Sequence, residues 1–134
     1  MSRLHLVKLT CPHCQAENEA AVWDSINAQL DPQAKEQLLE GKINILTCSR
    51  CGVSSPIDAP LLYHDMEKEF GVEYYPFKSI NDDNFLAGFN ADGSLKPDDK
   101  LPIDVKQHYL FQPHYVFSMD ELVRYILFRD KLAE

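Results

Sequence analysis

Positive charge is scarce in this sequence: 13 Lys and Arg stand against 21 Asp and Glu, for a formal net charge of −8. Binding to a phosphate backbone needs clustered cations, and no basic patch is visible, so nucleic acid is not an expected partner. An anionic membrane surface is disfavoured on the same ground. Long apolar runs are missing too, since none approaches the roughly 20 residues of a membrane-spanning helix. The opening MSRLHLVKLTC has neither a long apolar core nor a small-residue cleavage site, so no signal peptide is expected and the reducing cytoplasm is the expected compartment. There is no Gly-rich phosphate loop, no nucleophile elbow and no His-Glu-x-x-His pair. An enzyme would have to be of an unsignalled kind.

Aromatic residues are the next shortage, and a local one. Before Tyr63 the only aromatic among Phe, Trp and Tyr is Trp23, whereas all 6 Tyr and all 7 Phe lie from Tyr63 onward. The 134 residues fit a single domain, 1–134, with a first half (1–62) poor in aromatics and an aromatic half expected to hold sheet and C-terminal helix (63–134). All four Cys fall in the first half, which suggests that a metal supplies there what an aromatic core supplies elsewhere. The charge is also uneven: 5 Lys and Arg against 7 Asp and Glu in the first half, 8 against 14 in the second, or −2 and −6.

Four cysteines are few, yet they are placed in a doubled phrase, LTCPHC at 9–14 and LTCSRC at 46–51. The alternating LHLVKL runs into the first pair and INILT into the second, so each pair is expected at a strand end. Two Cys-x-x-Cys turns brought together offer four thiolates in a tetrahedron, which satisfies Zn2+ at about 2.3 Å per bond. Gly52 after the second pair suits the tight turn of a knuckle. Zn2+ on Cys11, Cys14, Cys48 and Cys51 is therefore the expected cofactor. A tetrahedral iron site and a redox dithiol are the alternatives. A closed four-thiolate site leaves no open position and is ordinarily structural.

Other elements can be placed. DPQAKEQLLEG has Asp31 at the N-cap, Pro32 at the first helical position and Gly41 just past the end, which predicts a short helix. Residues 17–24 are read as a strand, although Trp23, Ile26 and Leu30 also have helical spacing. GVSSPIDAPLLYHD reads as a strand broken by Pro56 and Pro60, FGVEYYPF as an aromatic strand, and QHYLFQPHYVF as one or two short strands. Residues 81–104 look like a long irregular connection. In SMDELVRYILFRDKL, Ser118 and Glu121 make a capping box, and Met119, Leu122, Val123, Ile126 and Leu127 form an apolar stripe.

The combination of CPHC, WDSIN, DPQAKEQLLEG, a strand into CSRCG, PLLYHD and the final SMDELVRYILFRDKL closely resembles the CpXC-domain proteins of bacteria and archaea, over most of residues 9–132. That resemblance implies a zinc-binding domain with ligands at Cys11, Cys14, Cys48 and Cys51. It implies no established activity.

The expected fold is α+β: a zinc ribbon with two Cys-x-x-Cys knuckles, an extended antiparallel sheet and a C-terminal helix. The expected role is a structural zinc-binding domain acting as a protein-binding or regulatory module, with a basic protein as the partner of the acidic half. A redox-responsive zinc switch is one alternative. A hydrolase using His64 with Asp65 is another, although neighbours on a strand point to opposite faces. His13 is expected to be exposed at a knuckle tip, and His5, His108 and His114 to be surface or core residues. Asp82, Asp83, Asp92, Asp98, Asp99 and Asp104 lack EF-hand spacing and are expected to be solvated turn residues.

Overall fold

The computed structural model describes residues 3–96, 108–109 and 113–134. Strand β1 (Arg3–Thr10) pairs antiparallel with β2 (Glu17–Asn27), from Arg3 opposite Ser25 to Thr10 opposite Glu17, so the first cysteine pair forms the tip of a long hairpin. The alternation within β2 turns Asn18 and Val22 inward. The strand expected over 17–24 thus forms and continues to Asn27, and its far end pairs with β5 (Leu61–Asp65). Between them the chain makes helix α1 (Pro32–Leu39) and a two-stranded ribbon of β3 (Ile45–Thr47) and β4 (Ser54–Pro56), whose tip is the second cysteine pair. β6 (Phe70–Tyr74) returns antiparallel beside β5, and β7 (His114–Val116) closes the order β1-β2-β5-β6-β7.

The sheet is mixed, which corrects the expectation of an antiparallel one: β2 runs parallel to β5, and β6 parallel to β7. Both parallel pairs join strands separated by long connections, 28–60 and 75–113, which can carry the chain back to the end where it started. Alternation of apolar residues marks a strand but not its direction.

Helix α1 begins otherwise than expected. Asp31 occupies the N-cap position, but its side chain makes no capping bond. The Asn27 side chain shapes the entry instead, its Oδ1 accepting the N–H groups of Gln29 and Leu30. The end follows the sequence: Gly41 has φ +76°, its N–H donates to Leu38 O, and the Lys42 N–H donates to Gln37 O. That pair of bonds is a Schellman motif, which favours glycine at the left-handed position.

The last helix, α3 (Met119–Leu132), has Ser118 Oγ accepting the Glu121 N–H and facing Glu121 Oε1. Leu122 and Ile126 are fully buried, and Met119 and Tyr125 pack against the core from its sides. Leu127, expected in the buried stripe, is 48% exposed. The helix packs on β6 and β7, and the side that meets them is centred on Leu122 and Ile126, a narrower arc than the full i, i+3, i+4, i+7, i+8 set. The core draws Ile26, Leu38 and Ile43 from before residue 62 and Tyr63, Val72 and Tyr74 from after it, so it crosses the compositional break. The 81–104 connection includes a short helix α2 (Asp83–Leu86) and a Phe89–Leu95 bridge, and its residues 97–104 lie outside the described ones.

Candidate metal centre

The two cysteine turns are built alike. In the first, the Cys11 N–H donates to Ala16 O at 2.8 Å and the Gln15 N–H to Cys11 O at 2.9 Å. In the second, the Cys48 N–H donates to Val53 O at 3.0 Å and the Gly52 N–H to Cys48 O at 2.9 Å. Each turn needs a left-handed residue just after its second cysteine, and these are Gln15 at φ +64° and Gly52 at φ +75°. With the chain folded back this tightly, backbone N–H groups point at the leading sulfur. Cys14 N lies 3.5 Å from Cys11 Sγ, and Arg50 N and Cys51 N lie 3.4 and 3.5 Å from Cys48 Sγ. Such donors stabilise a thiolate, which is the form a metal takes.

The turns face one another. Cys11 and Cys51 sulfurs are 3.7 Å apart, Cys14 and Cys48 sulfurs 3.5 Å, and all four lie within 4.8 Å of one another. Four sulfurs at about 2.3 Å from a common centre form a tetrahedron with edges of about 3.8 Å. The four side chains are unbridged thiols, so their number and spacing fit a single metal ion. Cys11 and Cys48 are buried and Cys51 is exposed.

Crowded sulfurs divide their protons unequally. N–H groups of Cys14 and His13 pull the Cys11 thiol down despite burial. The Cys51 N–H, then the Asn18 side chain, bring Cys48 to about 5. At Cys51 a bond from the Val53 N–H lowers the pKa, but burial and the sulfurs of Cys14, Cys48 and Cys11 outweigh it and push the thiol up to about 12. Four thiolates this close are mutually repulsive, and a divalent cation among them is the chemistry that relieves the repulsion.

Two asparagines hold the turns together, and neither stood out in the sequence. Asn18 is buried on β2, just beyond the first turn, and reaches across to the second: Oδ1 accepts the Ser49 N–H at 3.0 Å and the Ser49 hydroxyl at 3.1 Å, while Nδ2 lies 3.4 Å from Cys48 Sγ. Asn44, at the foot of the ribbon, pairs its amide with the Trp23 backbone, accepting at 2.8 Å and donating at 3.1 Å. The one available clue was Asn18 at an inward position of an alternating strand, where an apolar residue is the rule.

The remaining candidates do not join this centre. Asp65 is buried, and its carboxylate accepts from Gln29 Nε2, the N–H groups of Glu67 and Lys68, and Lys68 Nζ. His64, 3% exposed, turns the other way toward Tyr109, with 3.3 Å between Nδ1 and the hydroxyl, and burial lowers its pKa. The two therefore form no catalytic dyad. His13 is exposed, as expected, and His5 lies 2.9 Å from Asp24. Asp82 caps α2 by accepting the N–H groups of Asn84 and Phe85, and Asp92 accepts from Ser94. Asp98, Asp99 and Asp104 lie outside the described residues. Among the described residues, no helix is long and apolar enough to cross a membrane.

The model of the CpXC protein family matches residues 9–133, nearly the whole chain, and the chain belongs to that family. No curated protein and no solved structure matches it.

Proposed function

We propose that this CpXC protein holds one Zn2+ on Cys11, Cys14, Cys48 and Cys51, in a zinc-ribbon arrangement of two hairpin tips, as a structural centre. The carrying observation is the gathering of four free thiols, from turns 34 residues or more apart, at sulfur separations of 3.5 and 3.7 Å. Zinc fits this all-sulfur tetrahedral set, and four protein ligands leave no position for a reacting water. The centre then contributes to folding rather than to a reaction, and the domain serves as a cytoplasmic protein-binding or regulatory module whose acidic second half meets a basic partner. Elemental analysis of protein purified without added metal should find one zinc per chain, and Cys48→Ser should lower zinc content and melting temperature together. Stoichiometric iron, or metal-free protein that melts unchanged, would overturn the assignment.

A second function is favoured by one observation, that Cys14 and Cys51 are less buried than Cys11 and Cys48. Peroxide can take two electrons from a thiolate pair and two protons from solvent, closing one S–S bond and leaving as two waters, and the remaining two thiolates hold zinc poorly. Zinc release by mild peroxide that a thiol reverses would mark a redox-responsive switch, and retention of zinc under those conditions would exclude it.

A further inference from the structure

A second feature of the chain, none of whose residues belongs to the metal centre, is a cleft of about 540 Å3 where β6 and β7 begin. That volume lies in the range of small-molecule sites. Its distinctive residue is Arg129, on α3. The guanidinium lies 4.4 Å over the Phe70 ring, and Nη1 donates to the Tyr125 hydroxyl at 3.1 Å. Those contacts use one N–H of five and fix the plane of the fork. Among the described residues no carboxylate stands at ion-pair distance from it, in a half of the chain with 14 Asp and Glu. The adjacent Asp130 is engaged by Lys35 and Lys68, each at 2.9 Å.

Rings make up much of the remaining lining. His114 lies flat on Tyr125, with centroids 4.1 Å apart and planes within 6°, and His108 stacks on Tyr109 at 4.5 Å. Glu69 is the one carboxylate among the lining residues described, facing a set that includes Arg129 and two imidazoles. A half-buried, oriented guanidinium with free donors suits a planar oxyanion, and stacked ring pairs suit a planar ring.

We propose that this cleft binds a small oxyanion carried on a planar ring, with Arg129 taking the oxyanion and the His114–Tyr125 and His108–Tyr109 pairs taking the ring. The oxyanion can belong to an aromatic carboxylate or to the phosphate monoester of a planar base.

Titration calorimetry on the full zinc-loaded chain distinguishes the sources, with adenosine 5′-monophosphate and 2-naphthoate as probes and adenosine and inorganic phosphate as controls. At least one probe should bind, about tenfold or more tighter than either control, because each control lacks one of the two elements. Binding of the nucleotide alone assigns a phosphate monoester; binding of the naphthoate alone assigns a carboxylate. Arg129→Gln should weaken the bound probe about tenfold or more with zinc content unchanged. If that variant fails to fold, Arg129→Lys keeps the charge and stem without the fork and should still weaken binding several-fold. The proposal is overturned if neither probe binds, if a control binds as tightly as the probe, or if the folded Arg129 variants bind unchanged.

Discussion

Asn18 Nδ2 stands 3.4 Å from Cys48 Sγ, so the strand that leaves one cysteine turn grips the leading sulfur of the other. The same side chain accepts the Ser49 N–H, and it is buried. A hydrogen-bond donor held against a ligating sulfur in this way orients a ligand that the chain alone would leave loose.

Asn18→Ala is therefore expected to act on the metal and on the fold at once. Truncation removes the acceptor of the Ser49 N–H, and because Ser49 is exposed the loss is the net value of a hydrogen bond, about 0.5–1.5 kcal/mol. Metal retention should fall about 10- to 100-fold. Competition with a colorimetric chelator would measure the second effect and denaturant unfolding the first. Asn18→Asp keeps the acceptor for Ser49 but loses the N–H to sulfur and adds a negative charge, so it should retain metal less well than wild type.

The cysteine turns were legible because their chemistry is local: residue type, spacing and a preceding strand specify them. What joins them was not legible. Asn18 and Asn44 act across 31 and 21 residues respectively, through contacts that exist only once the register of β2 is set. Strand direction was hidden for the same reason, since pairing of Asn27 with His64 depends on where the intervening helix and ribbon deliver the chain. Local patterns also compete. Asp31 is a good N-cap by type, but Asn27 already shapes the turn into α1. Leu127 fits the helical period yet lies beyond the arc that the core covers.

Acid sensitivity should come partly from Asp65. Burial raises its pKa, but the Lys68 N–H, the Gln29 amide and the Lys68 ammonium outweigh burial and hold the carboxyl below its usual range. A folded pKa below the unfolded value, about 3.9, means that its stabilisation is complete above that value and is lost as pH falls through the folded one. Asp65→Asn replaces the charged acceptor of these hydrogen bonds by a neutral amide, while Lys68 keeps Asp130 at 2.9 Å, and should destabilise the protein at neutral pH by about 1–2 kcal/mol. The gap between wild type and variant should narrow as pH drops below about 4. Urea unfolding of both across the acid range would test it, and a gap independent of pH would refute the ionic role.

Partner capture should depend on charge if the acidic half is the interface. Asp82 and Asp83 start α2, and Asn is as good a cap as Asp, so replacing Asp82, Asp83, Asp98 and Asp99 by Asn should leave melting and zinc content nearly unchanged. Association with a basic partner should slow, and the difference should shrink as salt shortens the Debye length below about 8 Å. Equal association rates for both proteins across a salt series would remove these residues from the contact.

The two cysteine turns also make opposite predictions for the same backbone position. Gln15 and Gly52 both sit at positive φ, +64° and +75°, but only glycine adopts that region without strain. A side chain there costs about 1–2 kcal/mol, partly offset by the 0.4–1 kcal/mol or so that a non-glycine residue saves by restricting the unfolded chain. Nothing lies within 4 Å of a Cβ built on Gly52, so Gly52→Ala should cost the backbone term alone, about 1 kcal/mol net. Gln15 is exposed and its side chain makes no hydrogen bond among the described residues. Gln15→Gly should thus release strain without losing a contact and stabilise by up to about 1 kcal/mol. Thermal melting of the two zinc-loaded variants should move in opposite directions from wild type, Gly52→Ala down and Gln15→Gly up. A fall in both would mean that the Gln15 side chain supports the first turn in a way its exposure does not show.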